Sequence, residues 1–241
     1  MPGARVVLVG VQESGNIGMV ARAMKNFGLR ELVLTAPQAA IGPESFKFAV
    51  GARDVLEGAR TVATLDEALA GVHWVAAATA RPREEYPGEP TTPREVAPFL
   101  RAALEAGQGV ALVFGRERSG LTNAELDRAH FVVRIPTDPG FKSLNLAQAV
   151  LVLAYELFLA RPGTTEAPTP APAEQVEGFF RDLEGFLLEI GYTDERRLPH
   201  VMRAFRRIFH RAAPTAGELS MLRGLIRQSR WAIRREAERW R

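Results

Sequence analysis

Two short runs of residues, Arg5–Gly10 (RVVLVG) and Val110–Phe114 (VALVF), place the tightest constraint on what this chain can become. A strand with one wet face alternates apolar and polar residues. These runs do not alternate, so each reads as a strand buried on both faces, the mark of a parallel sheet. Further strands are expected at Glu31–Leu34, near Thr61, at Trp74–Ala78 and at Phe131–Ile135. Helical stretches fall between them: Ile17–Phe27, closed by Gly28; a stretch from Ser45 to Glu57; Asp66–Ala70; Arg94–Glu105, behind Pro93; and the strongly apolar Asn145–Leu159. The alternation predicts an α/β fold whose mainly parallel sheet carries helices on both faces.

The pattern stops at Arg161–Ala173 (RPGTTEAPTPAPA), where four prolines among small residues can neither continue a helix nor hold a sheet. This reads as a semi-rigid linker, 161–173, between a sheet domain (1–160) and an extension (174–241). The extension carries no strand signal and predicts three helices: Val176–Ile190, Glu195–His210 and Gly217–Trp240. Phe179, Phe180, Leu183, Phe186 and Leu187 recur at helical spacing and read as packing surface.

Net charge is only +3, but it is unevenly spread. Residues 196–241 hold 13 Arg against three acids, whereas residues 1–195 carry a net charge of −7. A basic end on an acidic body suits a polyanion partner or a solvated helical face. The absence of cysteine excludes disulfides, thiolate catalysis and cysteine–zinc sites. The four histidines show no metal-ligand spacing, so no metal is expected. No apolar run is long enough to span a membrane, and the first residues run straight into a strand rather than a secretory leader, which makes the cytoplasm the expected location.

Three segments differ from ordinary core and surface. Gly15-Asn16-Ile17-Gly18, with Arg22, Asn26 and Gly28, follows the first strand, and a turn at the C-terminal end of a parallel strand is the usual ligand position in such sheets. Asn16 serves there as a helix cap or a site residue, and Arg22 as a surface charge or a site cation. Phe114-Gly115-Arg116-Glu117-Arg118-Ser119-Gly120-Leu121 also follows a buried strand; its charges are turn chemistry or hold a carboxylate among guanidinium groups. Ile135-Pro136 through Asn145-Leu146-Ala147 is a loop entering a helix, with Ser143 or Asn145 as cap. None is a known phosphate-binding motif, and Gly10, Gly15 and Gly18 do not form a dinucleotide fingerprint.

Taken in order, these segments resemble the three motifs of the SpoU/TrmH class of methyltransferases in the SPOUT superfamily: N-I-G-x-x-x-R-x-x-x-N-F-G at 16–28, L-V-F-G-R-E-x-x-G-L at 112–121, and I-P through S-L-N-L-A-Q-A-V at 143–150. The chain is similar to the TrmJ branch of that class through G-A-x-D-V-L at 51–56, A-x-A-R-P-R at 78–83, L-x-x-I-G-Y at 187–192 and E-L-x-M-L-R-G-L-I at 218–226. It departs in V-Q-E-S at 11–14, where relatives often carry a Thr-Ser-His-Pro-like stretch, and at Lys142, where a small residue is commoner.

The resemblance implies a trefoil knot over roughly 110–160, a homodimer, S-adenosylmethionine as cofactor, and tRNA as substrate, methylated on the ribose 2′-oxygen at position 32. It assigns Arg22 and Asn16 to catalysis, and Glu117, Ser143 and Asn145 to ordering the site and the ribose. Thr79, Ala80, Arg81, Phe114, Gly115, Arg116, Gly120, Ile135, Ser143 and Leu144 would hold the cofactor. Arginine stays protonated in proteins, so Arg22 is read as orienting and stabilising charge, with a phosphate oxygen or water taking the proton. The basic extension would grip RNA phosphates. The competing readings are a SPOUT enzyme methylating a base nitrogen, a non-catalytic RNA-binding protein of this fold, and a nucleotide-binding α/β protein with a helical dimerisation arm.

Overall fold

The computed structural model describes residues 1–80, 90–161 and 169–239, with side chains as far as 235. In chain order its elements are β1 (Ala4–Val9), α1 (Ser14–Asn26), β2 (Glu31–Thr35), α2 (Pro43–Ala49), α3 (Arg53–Glu57), β3 (Arg60–Val62), α4 (Leu65–Ala68), β4 (Trp74–Ala78), α5 (Pro93–Glu105), β5 (Val110–Phe114), α6 (Asn123–Leu126), β6 (Phe131–Val133), α7 (Leu146–Leu159), α8 (Ala173–Glu189), α9 (Leu198–Ala212) and α10 (Ala216–Arg239).

The six strands form one parallel sheet in the order β3-β2-β1-β5-β4-β6. The two runs that opened the sequence reading are its central pair, in register as Val6 opposite Leu112 and Leu8 opposite Phe114. Every residue of β5 and all but one of β1 are buried, so helices cover both faces, as expected. The chain builds outward from β1 through β2 to β3 and then returns to the other side of β1. The direction reverses between β1 and β5, and a crevice opens at such a reversal beyond the C-terminal strand ends.

Several boundaries moved for identifiable reasons. The helix expected from Ile17 begins at Ser14, because a carboxylate from another segment satisfies the N–H groups ahead of its first turn. The stretch expected from Ser45 to Glu57 is two helices, broken where Val50 takes φ 50°. The four-residue α6 was not expected; it starts on a capping box in which Thr122 and Glu125 satisfy each other's backbone N–H groups.

Two compact units result, Met1–Ala167 and Pro168–Arg241. In the second, Phe179, Phe180 and Leu183 lie in an apolar core with Leu198, Met202, Leu219 and Ile226. A buried ion pair crosses it: the Arg206 guanidinium donates to Glu177 (2.8 Å to Oε2) and lies 4.3 Å from the Phe180 ring centroid. Residues 162–168 of the expected linker lie outside the described residues.

Candidate active site

The cavity lies on the β5 side of the reversal between β1 and β5, and no residue following β1 lines it. A cavity of about 450 Å³ opens beyond the C-terminal ends of β5, β4 and β6. Its wall is supplied by Thr79 and Ala80 after β4, Phe114, Gly115, Arg116 and Gly120 at the end of β5, Ile135 after β6, and Ser143 and Leu144 ahead of α7. These are nine of the ten residues expected to hold a cofactor; Arg81 lies outside the described residues. Glu117, Arg118 and Lys142 also line it.

The loop after β5 folds back on itself, with the Gly120 N–H donating to the Arg116 carbonyl at 2.8 Å. Gly115 lets it close: a Cβ there would stand 2.2 Å from the Gly120 carbonyl carbon and 2.3 Å from the Leu121 nitrogen. Arg116 is held at 3.1 Å by both oxygens of Glu125. Burial would raise the Glu125 carboxyl, but hydrogen bonds from Arg116 and from the Thr122 N–H outweigh it and hold the group below the usual carboxylate range. Arg116 is thus a fixed, neutralised wall rather than a free cation.

Glu117 turns from the same loop to the start of α1. Its Oε2 accepts from the Gln12 N–H at 2.9 Å, and its Oε1 from the Glu13 N–H at 3.2 Å and from Asn16 Nδ2 at 3.0 Å. Helix N-termini favour carboxylates in this way. Asn16 is therefore not the cap that its position suggested. It sits within the first turn, 2% exposed, and its Oδ1 accepts from Asn145 Nδ2 at 3.0 Å. Asn145 also caps α7, accepting from the Ala147 N–H at 2.8 Å. Asn16, Glu117 and Asn145, one from each segment singled out in the sequence, thus form one hydrogen-bonded chain beside the cavity.

Ser143 is exposed on the cavity wall. Arg22 is not part of the wall. It is exposed on α1 and has no hydrogen bond or ion pair among the described residues. At 100° per residue it lies about 240° around the helix from Asn16, so the two face different ways.

Sequence reasoning missed Glu13, Ser45 and the backbone N–H of Gln12. Ser45 pins α2 to α1: its hydroxyl lies 2.7 Å from that of Ser14, and a Cβ on Gly18 would meet the Ser45 carbonyl oxygen at 2.1 Å. A glycine at position 18, inside a helix, was the available signal for a close helix crossing, but no local pattern names the partner. The described residues include no group of three or more His, Cys, Asp or Glu side chains able to hold a metal ion.

Comparison with known proteins places this geometry among relatives. The SpoU rRNA Methylase family matches residues 3–155, and the tRNA methyltransferase TrmJ, C-terminal domain, matches residues 174–239. The chain is 42% identical over 244 residues to a tRNA (cytidine/uridine/adenosine-2′-O-)-methyltransferase TrmJ of Pseudomonas aeruginosa, covering 95% of both chains. It is 43% identical over 232 residues to a tRNA (cytidine/uridine-2′-O-)-methyltransferase TrmJ of Cronobacter sakazakii, covering 92% of this chain and 94% of that one. The crystal structure of TrmJ from Z. mobilis superposes with a TM-score of 0.83 at 36% identity, covering 94% of this chain and 99% of the other.

Proposed function

The chain belongs to the SpoU rRNA Methylase family and carries a TrmJ-type C-terminal domain, and on that premise we propose that it is an S-adenosylmethionine-dependent tRNA methyltransferase acting on the ribose 2′-oxygen of the pyrimidine at position 32 of the anticodon loop. The observation that carries the reading is that the second and third segments line one cavity and the first is tied to them through Asn16, which bonds both Glu117 on the cavity wall and Asn145. The two TrmJ relatives, matched over more than nine-tenths of their length, support tRNA and the 2′-oxygen. Position 32 rests on the resemblance to the TrmJ branch.

The cavity suits the cofactor. Its volume falls in the ordinary range for small-molecule sites, and its lining combines apolar side chains (Ile135, Leu144, Leu146) with the Gly115–Gly120 loop. When bound, S-adenosylmethionine supplies an electrophilic methyl on a sulfonium, so no metal is required. The residues of the chain position and exclude. Thr79, Ala80 and the Gly115–Gly120 loop hold the ligand, Ser143 and Asn145 order the ribose, and the fixed network keeps these groups in register, which supplies much of the rate.

Arg22 orients the nucleotide and offsets phosphate charge. Its outward direction supports an assignment to RNA seated at a partner protomer's cavity. The homodimer belongs to the same reading: Leu151, Tyr155, Phe158 and Leu159 form an exposed apolar stripe on α7, and Phe27, next to the end of α1, meets Tyr155 edge-on and Phe158 at a tilt, with ring centroids 5.7 Å apart in each pair. The trefoil knot over 110–160 also belongs to it. So does a cytoplasmic location, alongside the absence, among the described residues, of a helix long and apolar enough to cross a membrane.

The extension is proposed to hold RNA. Arg211 and Arg227 are exposed with no ion pair among the described residues, so each is free to meet a phosphate.

The test is methyl transfer from labelled S-adenosylmethionine to unmodified bulk tRNA, wild type against Arg22→Ala, with the label mapped by nuclease digestion. Ribose label at position 32, lost in the variant, supports the reading. Label on a base nitrogen, or no label together with no cofactor binding, overturns it.

A further inference from the structure

We infer that the helical extension carries a nucleotide site, in which Trp231 stacks against one unpaired base of a single-stranded RNA segment while Arg227 and Arg234 meet its phosphates; this deepens the reading of the extension as an RNA-holding unit and rests on it. A cavity of about 440 Å³ opens along α10, walled by Ile226, Arg227, Arg230, Trp231 and Arg234 and by Asp182 of α8. Residues 227, 231 and 234 are spaced by four and then three, which sets their side chains on one face of the helix.

Part of that wall is fixed. Arg223, which also lines the cavity, donates to Asp182 at 2.7 Å. Arg230 is ion-paired with Glu189 at 2.7 Å and lies 6.0 Å from the Phe186 ring centroid. Gly185 gives it room, since a Cβ there would stand 3.1 Å from Arg230 Nη2. Each of these two guanidinium groups has an acid of its own and joins α10 to α8. Arg227 and Arg234 differ from them. Arg227 is exposed with no ion pair among the described residues. Arg234 is 74% exposed and reaches only to 3.9 Å from Glu189, which Arg230 already holds. Positive charge without a close acid therefore lines the cavity.

Trp231 is the residue that the core does not account for. From α10, Leu219 and Ile226 enter the apolar core of the extension, whereas the indole of Trp231 stays half exposed. The Arg235 guanidinium lies 5.0 Å from its ring centroid and places a further cation beside the ring. An aromatic ring set among cations is the combination that holds single-stranded nucleic acid, because every unpaired base has a π face and the phosphates follow the cations. A duplex offers such a site phosphates alone, since its base faces are stacked inside. A bare phosphate would leave the ring unused.

The test uses the full chain and fluorescence anisotropy, with a labelled single-stranded oligouridylate of about eight nucleotides, the same backbone without bases, and unmodified tRNA. Wild type should bind the oligouridylate about tenfold more tightly than the abasic strand. Trp231→Ala should lose about tenfold on the oligouridylate, bind the abasic strand as wild type does, and keep the wild-type dependence on salt. Trp231→Phe keeps a ring and should retain most of the affinity, which separates stacking from a loss of fold. Arg227→Gln should instead lower the salt slope by about one on both strands. Equal losses on the two strands with Trp231→Ala, or no loss on either, would overturn the stacking site. So would a change in sedimentation with no change in RNA affinity, which would assign the ring to a contact between copies of the chain. A wild type that binds tRNA but not the oligouridylate overturns this inference alone; tRNA affinity untouched by Arg211→Gln with Arg227→Gln overturns the RNA-holding reading of the extension, and this inference with it.

Discussion

Asn145 Nδ2 donates to Asn16 Oδ1 at 3.0 Å, joining residues 129 positions apart in the chain. The bond ties the cap of α7 to the first turn of α1, and through Asn16 it reaches Glu117, which anchors the set by accepting two backbone N–H groups.

Replacing Glu117 by Gln keeps the shape but turns an NH₂ toward donors. One of the Gln12 N–H, the Glu13 N–H or the Asn16 amide then loses its acceptor. The expected cost is about 1–3 kcal/mol of stability in urea unfolding, with transfer lowered by at least about tenfold. Unchanged unfolding would mean that the clamp contributes nothing to the fold.

Gly115→Ala places a methyl 2.2 Å from backbone that has no rotamer with which to yield. The loop must open, and cofactor affinity should fall more than about tenfold. Gly51→Ala is the control, since a Cβ there meets nothing within 4 Å and should leave affinity unaltered.

His130 predicts an acid-side loss of stability. Desolvation lowers its pKa from 6.5 to about 4, because the partly buried ring, set against Trp74, loses solvation of its charged form. Below pH 6.5 the unfolded chain takes up a proton that the folded chain refuses, so stability falls as pH drops from about 6.5 to about 4. The difference amounts to about 3 kcal/mol. His130→Asn keeps an acceptor for the Val75 N–H and removes the titration, so melting curves across this window should flatten.

The basic extension should make tRNA binding steeply salt-dependent. Arg211→Gln with Arg227→Gln should lower the slope of log affinity against log salt by about two, while the Glu177–Arg206 pair keeps the helical unit folded. An unaltered slope would remove both residues from the RNA surface.

The sheet was legible because β1 and β5 announce themselves by uninterrupted apolar runs, and burial on both faces has no other signature that short. The cavity was legible because motif residues stand where strands end. What stayed hidden was decided by distant partners. Asn16 has a cap's residue type, and only Glu117, 101 positions away, moves the helix start ahead of it. The break at Val50 depends on how α2 packs against α1, where Gly18 meets Ser45.

The chain of bonds from Asn145 through Asn16 to Glu117 has a kinetic consequence. Each link closes a loop of a hundred residues or more, so the site has high contact order and no fragment of the sheet domain can assemble it early. The last loops to close are those that shape the ligand cavity. Cofactor binding therefore reports completion of folding rather than a local event, and the ligand should protect amides throughout the sheet domain from hydrogen exchange, not only those at its rim.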